Sequence, residues 1–346
     1  MSKQSIQSPD YAKMSLATAI SLGLVRGRMY RAAVNRCVNL LVHYPEGCSA
    51  NCAYCGLAKK RPGNYQDKSF IHVDWPVYPM DEVIQAVNQA PDYVERACIS
   101  MITNGKCRSA TLEMARRLKG ETSLPVSVLI APTILDRNDL LALKEAGVDK
   151  IGVALDLATP ALFDTYRGSG VSGPHTWEKY WGAIQLGLDV FGHPHVGAHL
   201  MIGMGETEEE MVALMDKLWQ MGVVNHLFSF FAEQGSKLGQ RPQPPWPTYL
   251  RVQLARYLIE GGLGHYKEMN FDNKGHIISF GLAPADLDRI IAKGTPFMTT
   301  GCLGSNGEVA CNRPFGNCLP DVAQWNYPYH PNEEELGLIR RNIFAY

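Results

Sequence analysis

The sequence has no apolar run that approaches the roughly 20 residues needed to cross a bilayer, and this excludes a membrane-spanning helix. It also lacks an excess of one charge: 33 lysines and arginines face 34 aspartates and glutamates, for a formal net charge of -1. That balance excludes binding to nucleic acid or to membrane surfaces driven by bulk charge. No internal repeat and no low-complexity tract interrupts the 346 residues, a length that one large α/β barrel can fill.

The first residues also lack the pattern of a secretory signal. Their short apolar run is interrupted by small residues and ends in Arg26 and Arg28, and no basic start leads into a long apolar core. We expect residues 1–36 to form an amphipathic helical leader packed on the main domain, and we expect the protein to be cytoplasmic.

Cysteine, by contrast, is plentiful, with nine in the chain. A disulfide framework is not expected in a reducing compartment, so the cysteines need another explanation. Six of the nine fall into two tight groups, and such grouping indicates metal binding. The two groups are Cys48, Cys52 and Cys55, and Cys302, Cys311 and Cys318.

Short β-rich runs alternate with longer helical patterns over residues 37–283. Six of the runs are almost continuously apolar, as expected for strands of a parallel sheet that is covered on both sides. We predict an α/β fold, a partial or complete TIM-like (β/α) barrel, with a doubly wound sheet as the alternative. Residues 284–346 form a tail rich in cysteine, glycine and proline, which we expect to pack on the barrel. The predicted strands are 38–43, 97–102, 125–130, 150–155, 195–203 and 225–231.

The first cysteine group follows the first predicted strand, at the end of the barrel where such folds carry their functional residues. Its spacing is C-x3-C-x2-C, in CSANCAYCG. A structural zinc site needs four ligands, usually from two C-x2-C pairs. Ferredoxins bind every iron of the cluster, with the pattern C-x2-C-x2-C-x3-C. Three cysteines instead hold three irons of a 4Fe-4S cluster and leave the fourth open to a non-protein ligand; zinc and chance clustering are the alternatives.

This motif, placed after the first strand of a β/α barrel and with Tyr54 before its third cysteine, resembles that of the radical S-adenosylmethionine (SAM) superfamily. The resemblance implies that the open iron binds the amino and carboxylate groups of SAM. It also implies that one electron from the cluster cleaves the S–C5′ bond, and that the resulting 5′-deoxyadenosyl radical abstracts hydrogen from an unreactive carbon. Tyr54 is then expected near the adenine. The catalytic residues remain unknown, because the radical arises at the SAM-bound cluster.

Over roughly residues 35–260 the chain resembles the biotin synthase branch of that superfamily. RACISMITNG is similar to its second-strand segment near the methionine amino group. VALDLATPALFD is similar to its Asn-x-Asp segment on the fourth strand, although Ala154 stands in place of the asparagine. LMIGMGETEEE is similar to its Gly-x-Gly-Glu-Thr turn after the fifth strand. The resemblance implies SAM contacts at Ser100, Thr103, Asp156, Gly203, Gly205 and Glu206.

The second cysteine group has the spacing C-x8-C-x6-C, in TTGCLGSNGEVACNRPFGNCLP. A small zinc knuckle in the tail is one interpretation. We favour an auxiliary iron–sulfur cluster, expected to be 4Fe-4S, because sulfur-inserting radical enzymes need a sulfur source that such a cluster can supply. An auxiliary cluster of the biotin synthase type is not expected, since PVSVLI and AHLMIG carry no cysteine. Cys98 is therefore predicted to pack as a small apolar residue.

Together, the first group and the tail segment Cys-Asn-Arg-Pro-Phe resemble the archaeal-type lipoyl synthases, a two-protein system that inserts sulfur at C6 and C8 of an octanoyl chain. The resemblance implies a sulfurtransferase of lipoate biosynthesis. The implied partners are an octanoylated lipoyl-domain carrier protein, a second lipoyl synthase-like radical SAM protein, and a reducing ferredoxin or flavodoxin; neither nucleic acid nor membrane is expected. The fourth ligand of the auxiliary cluster stays open among Cys37, Cys107, Thr299, Thr300 and no protein residue.

Two other functions remain open. One is a biotin synthase-like mutase or maturase with a structural metal site in the tail. The other is an iron–sulfur electron carrier or scaffold, which is excluded if the reduced protein cleaves SAM. Arg313 is predicted either to bind a carboxylate or a partner, or to brace the tail. His193 and His195 are predicted to make loop hydrogen bonds.

Overall fold

The computed structural model describes residues 6–311 and 313–345. The first five residues of the leader, Asn312 of the Cys-Asn-Arg-Pro-Phe segment, and Tyr346 lie outside the described residues. The strands are β1 (Tyr11–Met14), β2 (Cys37–Val42), β3 (Val77–Pro79), β4 (Arg96–Ser100), β5 (Val126–Ile130), β6 (Val148–Asp156), β7 (Val196–Ile202), β8 (Val224–Ser229), β9 (Asn270–Phe271) and β10 (Ile277–Ser279). The helices are α1 (Leu16–Ser21), α2 (Met80–Asn88), α3 (Cys107–Glu121), α4 (Arg137–Glu145), α5 (Pro160–Tyr166), α6 (Trp177–Phe191), α7 (Glu208–Gln220), α8 (Trp246–Glu260), α9 (Pro284–Ala292) and α10 (Glu333–Asn342). Within the described residues, no helix combines the length and apolar character needed to cross a membrane.

Eight strands form one sheet in the order β3-β1-β2-β4-β5-β6-β7-β8. The six strands β2 and β4 to β8 run parallel, each beside the one before it. They coincide with the six apolar runs of the sequence, and helices α3, α4, α6 and α7 pack against them. The predicted (β/α) barrel is therefore confirmed in its partial form, with β3 and β8 at the two ends of the sheet.

Alternate residues of each parallel strand face opposite sides of the sheet. In β2, Val38 and Leu40 are fully buried on the side of the helical layer, whereas Asn39 and Leu41 line a cavity inside the barrel. The outer face of the sheet thus supplies the apolar core. The inner face is free to carry polar groups and cysteines.

The leader differs from the predicted helical segment. Residues Tyr11–Met14 form β1, which pairs antiparallel with both β2 and β3; among the described residues of the leader, Leu16–Ser21 forms an α-helix and Tyr30–Ala32 a short 3-10 helix. Ala12, Lys13 and Met14 are all fully buried, and the Lys13 ammonium donates to the Gln66 carbonyl (3.0 Å). The residue types alternate between apolar and polar with a period of two, which favours a strand added to the sheet over a helix packed on it.

The tail crosses the barrel near the amino-terminal ends of the strands. The Thr300 hydroxyl oxygen accepts a hydrogen bond from the Leu227 N–H of edge strand β8 (3.1 Å). Arg96, at the start of β4, donates to the Leu303 carbonyl (2.6 Å). Further along the tail, α10 packs against α8 and α9. The tail therefore covers the end of the barrel opposite the carboxyl ends of its strands.

Candidate active site

The loop after β2 carries the first cysteine group, which we call the triplet: Cys48, Cys52 and Cys55. Backbone hydrogen bonds hold this loop to two neighbouring units of the barrel. The N–H of Ser49 donates to the Thr103 carbonyl beyond β4, and the N–H of Ala53 donates to the Tyr166 carbonyl at the end of α5 (2.8 Å each). The loop thereby turns all three residues of the triplet towards one cavity in the barrel.

The triplet thiols lie in a low-dielectric environment. Burial raises the pKa of Cys52 to about 11 and also raises that of Cys55; Cys48 adds to both increases, and Cys52 adds to that of Cys55. The Arg167 guanidinium opposes these increases in pKa, and the N–H of Leu57 donates to the Cys55 sulfur (3.4 Å). Metal ions bind thiolates rather than thiols. Deprotonation of the triplet is therefore most favourable when the positive charge of a bound metal centre adds to that of Arg167.

Asp156 lies at the carboxyl end of β6 in an unusual backbone conformation. Its φ is 65°, and the pairing register with β7 shifts between Ala154 and Asp156. This bulge re-aims the side chain, as bulges beside active sites do. One carboxylate oxygen, Oδ2, accepts from the Tyr54 hydroxyl (2.6 Å) and from the Arg167 guanidinium (2.7 Å). Asp156 thus joins the triplet loop to the barrel wall, in a backbone conformation of the kind that clusters at functional sites.

Ser100 ends β4, and Thr103 follows it by three residues. Both line the cavity into which the triplet faces, as do Tyr54 and Asp156. The Thr103 carbonyl also accepts from the hydroxyl of Ser49 (2.7 Å), so this segment and the triplet loop are fixed to each other. Four of the predicted SAM contacts therefore share one cavity with the triplet.

The turn after β7 is held together by hydrogen bonds within the turn. The Glu206 carboxylate accepts from the N–H groups of Gly203 (2.7 Å) and Met204 (2.9 Å). Gly203 and Gly205 have φ values of 106° and 117°, which side chains rarely adopt, so the turn needs glycine at both. Among the described residues, those that line the cavity do not include Gly203, Gly205 or Glu206. The structure gives this turn a bracing role, and SAM contact at the three residues stays a prediction.

The second cysteine group is divided in the structure. Cys302 and Cys311 reach the base of the cavity, at the end covered by the tail. There the Cys311 thiol lies beside those of Cys37 and Cys98, which come from β2 and β4. Cys98 was predicted to pack as a small apolar residue, but it lines the cavity. Two isolated cysteines of the barrel thus meet two cysteines of the tail.

Cys318 is not placed with this group. Its sulfur accepts hydrogen bonds from the N–H groups of Trp325 and Asn326, and it lies near Tyr249 of α8. The prediction that Cys318 joins the two other tail cysteines is corrected accordingly. Spacing along the chain did not reveal that residues 313–317 continue along the cavity wall and that Cys318 lies outside the cavity lining.

One continuous cavity of about 320 Å³ joins the triplet to the base of the barrel. Aromatic side chains of Phe70, Trp75 and Phe231 line it, and so do the histidines His199 and His226. Burial lowers the pKa of His199 to about 4 and that of His226 well below its usual value, so both are neutral at pH 7. A concave, largely apolar site with a few polar groups is typical of a cofactor or small-molecule site.

The comparison that decides the family covers this same region. The family model of the radical SAM superfamily matches residues 42–218, which is just over half of the chain. The chain belongs to the radical SAM superfamily. It therefore uses a 4Fe-4S cluster and SAM, the cofactors predicted from the triplet.

Curated relatives of this radical SAM protein include biotin synthases. That of Aquifex aeolicus is 29% identical over 175 residues, covering 48% of this chain and 46% of the relative. That of Magnetococcus marinus is 26% identical over 221 residues, covering 61% of each. The chain thus spans about half the length of the first relative and three fifths of the second. Among solved structures, methylornithine synthase has a TM-score of 0.50 at 12% identity, covering 71% of this chain and 67% of that one, which shows a shared fold.

The triplet fits the cluster of a radical SAM protein. Within the described residues, no group of three or more His, Cys, Asp or Glu side chains is arranged to hold a single metal ion. A 4Fe-4S cluster takes one thiolate for each iron and is wider than an ion, so its ligands stand further apart. If the three thiols of the triplet bind three irons of the cluster, the fourth iron faces the cavity, where it can take a non-protein ligand. The residues bordering that space offer SAM a hydroxyl, a carboxylate and backbone groups: Tyr54, Ser100, Thr103 and Asp156.

Arg167 is a residue of the radical SAM site that the sequence did not reveal. It is buried, donates to the hydroxyl of Tyr180 (3.0 Å), and its Cζ lies 4.6 Å from the centroid of that ring. Its guanidinium pairs with the Asp156 carboxylate and is near enough to the triplet to act against the raised pKa of Cys52 and Cys55. A lone arginine after a helical segment carries no signal of this role, because only the fold brings it under the β2 loop.

Proposed function

We propose that this radical SAM protein is a sulfur-insertion enzyme, one component of a lipoyl synthase that adds sulfur to an octanoyl chain on a lipoyl-domain protein. One observation carries the proposal: the triplet and a second set of cysteines open onto opposite ends of the same cavity. A carbon chain lying between them has a radical source at one end and a sulfide source at the other. The similarity to biotin synthases supports placement in that branch of the superfamily.

In the proposed reaction, a C–H bond of the octanoyl chain is replaced by a C–S bond. The bound cofactors supply the chemistry: the hydrogen atom leaves in 5′-deoxyadenosine, sulfide comes from an auxiliary iron–sulfur cluster, and the remaining electron passes to its iron. The protein holds the chain between the two sites and excludes water from it.

The chemistry of the cavity wall supports an octanoyl amide as the proposed substrate. Phe70, Trp75 and Phe231 offer apolar surface for the chain. The guanidinium of Arg313 adds a polar group to this wall, with its Cζ 5.9 Å from the centroid of the Trp75 ring. Among the described residues, the buried Nη1 of Arg313 has no hydrogen-bond partner. Because an unpaired buried donor is costly, we propose that Arg313 donates to the amide carbonyl of the octanoyl-lysine.

The substrate arm needs an entrance to this cavity. Ile71 lines the cavity and is also 36% exposed, so residues 70–72 border both the cavity and solvent. Ile71 and His72 both have positive φ values, 51° and 63°, which turn the chain sharply at this rim. We propose that the octanoyl-lysine arm of the carrier protein enters here.

The proposed chemistry also determines the partners. An octanoylated lipoyl-domain protein presents the arm, and a second radical SAM protein inserts the other of the two sulfur atoms. A reduced ferredoxin or flavodoxin supplies electrons. These three partners are proposed together with the reaction and rest on it.

The test uses the anaerobically reconstituted protein with dithionite, SAM and an octanoyl-lysyl peptide. We expect mass spectrometry to detect a peptide that has gained one sulfur, together with 5′-deoxyadenosine. Parallel reactions contain peptides that already carry sulfur at C6 or at C8, because this component can act second. Formation of 5′-deoxyadenosine with all three peptides unchanged would contradict sulfur insertion and favour a mutase or maturase.

A further inference from the structure

The tail cysteines Cys302 and Cys311 stand side by side at the base of a hairpin. The Cys302 carbonyl accepts hydrogen bonds from the N–H groups of Ala310 and Cys311 (3.0 Å each). Further along, Leu303 pairs antiparallel with Val309. The eight residues of the C-x8-C spacing are therefore the hairpin itself, and this long spacing brings the two cysteines together.

The hairpin is pressed closely against itself and against the barrel. A Cβ at Gly301 would lie 1.9 Å from the Cys311 carbonyl oxygen, and a Cβ at Gly304 would lie 2.3 Å from the Glu95 carboxylate. Asn306 also donates to Glu95, at 2.8 Å. Since no side chain fits at either glycine without displacing its neighbours, the position of the two tail cysteines beneath the strands is tightly defined.

The barrel supplies two more thiols at this point. Cys37 opens β2, and Cys98 pairs in register with Asn39 of that strand. The Cys311 thiol lies beside both strand thiols and 4.0 Å from Nδ2 of Asn39. Cys302 interacts electrostatically with Cys37 and Cys98. Four thiols from three separate segments therefore converge.

Positive charge accompanies these thiols. Arg96 is buried at the start of β4 and donates to both carboxylate oxygens of Asp149 (2.7 and 2.6 Å). Its guanidinium acts to lower the pKa of Cys37, Cys98 and Cys302, against the larger effects of burial at Cys37 and Cys302 and of the hydrogen bond with Cys311 at Cys98. Fixed cationic groups of this kind stabilise thiolates and the negatively charged clusters that they bind.

We infer that four thiols at the base of the barrel bind an auxiliary 4Fe-4S cluster, with one thiolate for each iron. They belong to Cys37, Cys98, Cys302 and Cys311. Unlike the triplet, this set leaves no iron open to SAM. Its use as a sulfur donor rests on the function proposed above, whereas the ligand set can be tested without any reaction.

The test first removes the triplet, so that the auxiliary cluster is counted alone. In the full-length chain carrying C48A, C52A and C55A, reconstituted anaerobically, we expect about four irons and four sulfides. A further alanine at any one of the four base cysteines is expected to remove most of this iron and the electron paramagnetic resonance (EPR) signal of the reduced cluster. Cys318→Ala and Cys107→Ala are the matched controls, and both are expected to retain the iron and the signal.

Retained iron in C37A and C98A, together with lost iron in C318A, would overturn the inference in favour of a set drawn from the tail alone. Zinc in place of iron in the triplet-free chain would also overturn it. Serine variants at the four positions separate loss of a ligand from misfolding. Serine has nearly the same size as cysteine, so the fold is kept, but it is a weaker ligand. We expect an altered EPR signal from each, and four unchanged signals would contradict the assignment. None of these measurements involves an octanoyl substrate, so their failure is distinct from a failure of the proposed function.

Discussion

Asp156 holds two neighbours through a single carboxylate oxygen. Tyr54, from the triplet loop, donates to it from one side, and the Arg167 guanidinium donates from the other. The two members of the ion pair are only 9% and 13% exposed at their side chains, so the charges are removed from solvent. A buried pair of this kind is costly to break, because the remaining charge has no compensation.

We predict that Asp156→Asn lowers the free energy of unfolding by about 3 kcal/mol, since it leaves a buried guanidinium without its counter-charge. Tyr54→Phe removes a hydrogen bond but no charge, and we expect a loss of about 1 kcal/mol. Urea unfolding of the anaerobically reconstituted variants measures both values. Asp156→Asn is also expected to weaken SAM binding more than Tyr54→Phe does, as equilibrium binding would show.

Asp189→Asn is the matched control for this prediction. Asp189 pairs with Arg137 at 3.2 Å, but their side chains are 58% and 53% exposed. Exposed pairs contribute little, so we expect a change below about 1 kcal/mol. If Asp156→Asn and Asp189→Asn lowered the free energy of unfolding equally, the Asp156–Arg167 pair would contribute no more to stability than an exposed pair.

At the scale of the element, the turn after β7 shows how a sequence motif can have two explanations. The Gly-x-Gly-Glu pattern predicts SAM contact by resemblance to biotin synthases. The structure shows Glu206 satisfying the N–H groups of Gly203 and Met204 in its own turn. The two explanations predict different results for one substitution.

We predict that Glu206→Gln destabilises the protein by about 1–3 kcal/mol, because an amide offers one acceptor oxygen where the turn needs two. SAM affinity is expected to stay unchanged. Thermal unfolding and equilibrium SAM binding measure the two effects. Glu210→Gln is the control: Glu210 is exposed in the capping box of α7, where glutamine also serves. Unchanged stability with weakened SAM binding in Glu206→Gln would favour direct contact with SAM.

The elements themselves differ in how well the sequence predicts them. The six parallel strands were predictable because burial on both faces makes each one almost continuously apolar. β1 was not, since four residues beside a longer apolar run carry too short an alternation to be distinguished from the start of a helix. The loop hydrogen bond predicted for His193 is present, from the ring to the Gly222 carbonyl (2.9 Å).

At the scale of the whole molecule, the cavity has cysteines at both of its ends. The triplet was predictable from local spacing alone, because its three ligands lie within eight residues of sequence. The base of the cavity was not, because its cysteines come from β2, β4 and the tail. Cys37 and Cys98 each stand alone in an apolar strand, and only the sheet register and the path of the tail bring them to Cys311.

The barrel thus departs from the expectation that function gathers at the carboxyl ends of the strands. The tail hairpin closes the amino-terminal end and adds two cysteines there, and the cavity lies between the two ends. This arrangement suits a reaction that needs a radical on one side of a carbon chain and sulfide on the other.

The most direct test of this account follows the sulfur atom. The protein is reconstituted with isotopically heavy sulfide, freed of excess sulfide, and allowed one turnover with dithionite, SAM and the octanoyl- and singly thiolated lysyl peptides. We predict that the product carries one heavy sulfur per 5′-deoxyadenosine formed in thiolation, and that Cys302→Ala, which keeps the triplet, forms no thiolated product. A product that carries light sulfur from the solution, or full thiolation by Cys302→Ala, would contradict the claim that cysteines at the base of the barrel hold the sulfur that is inserted.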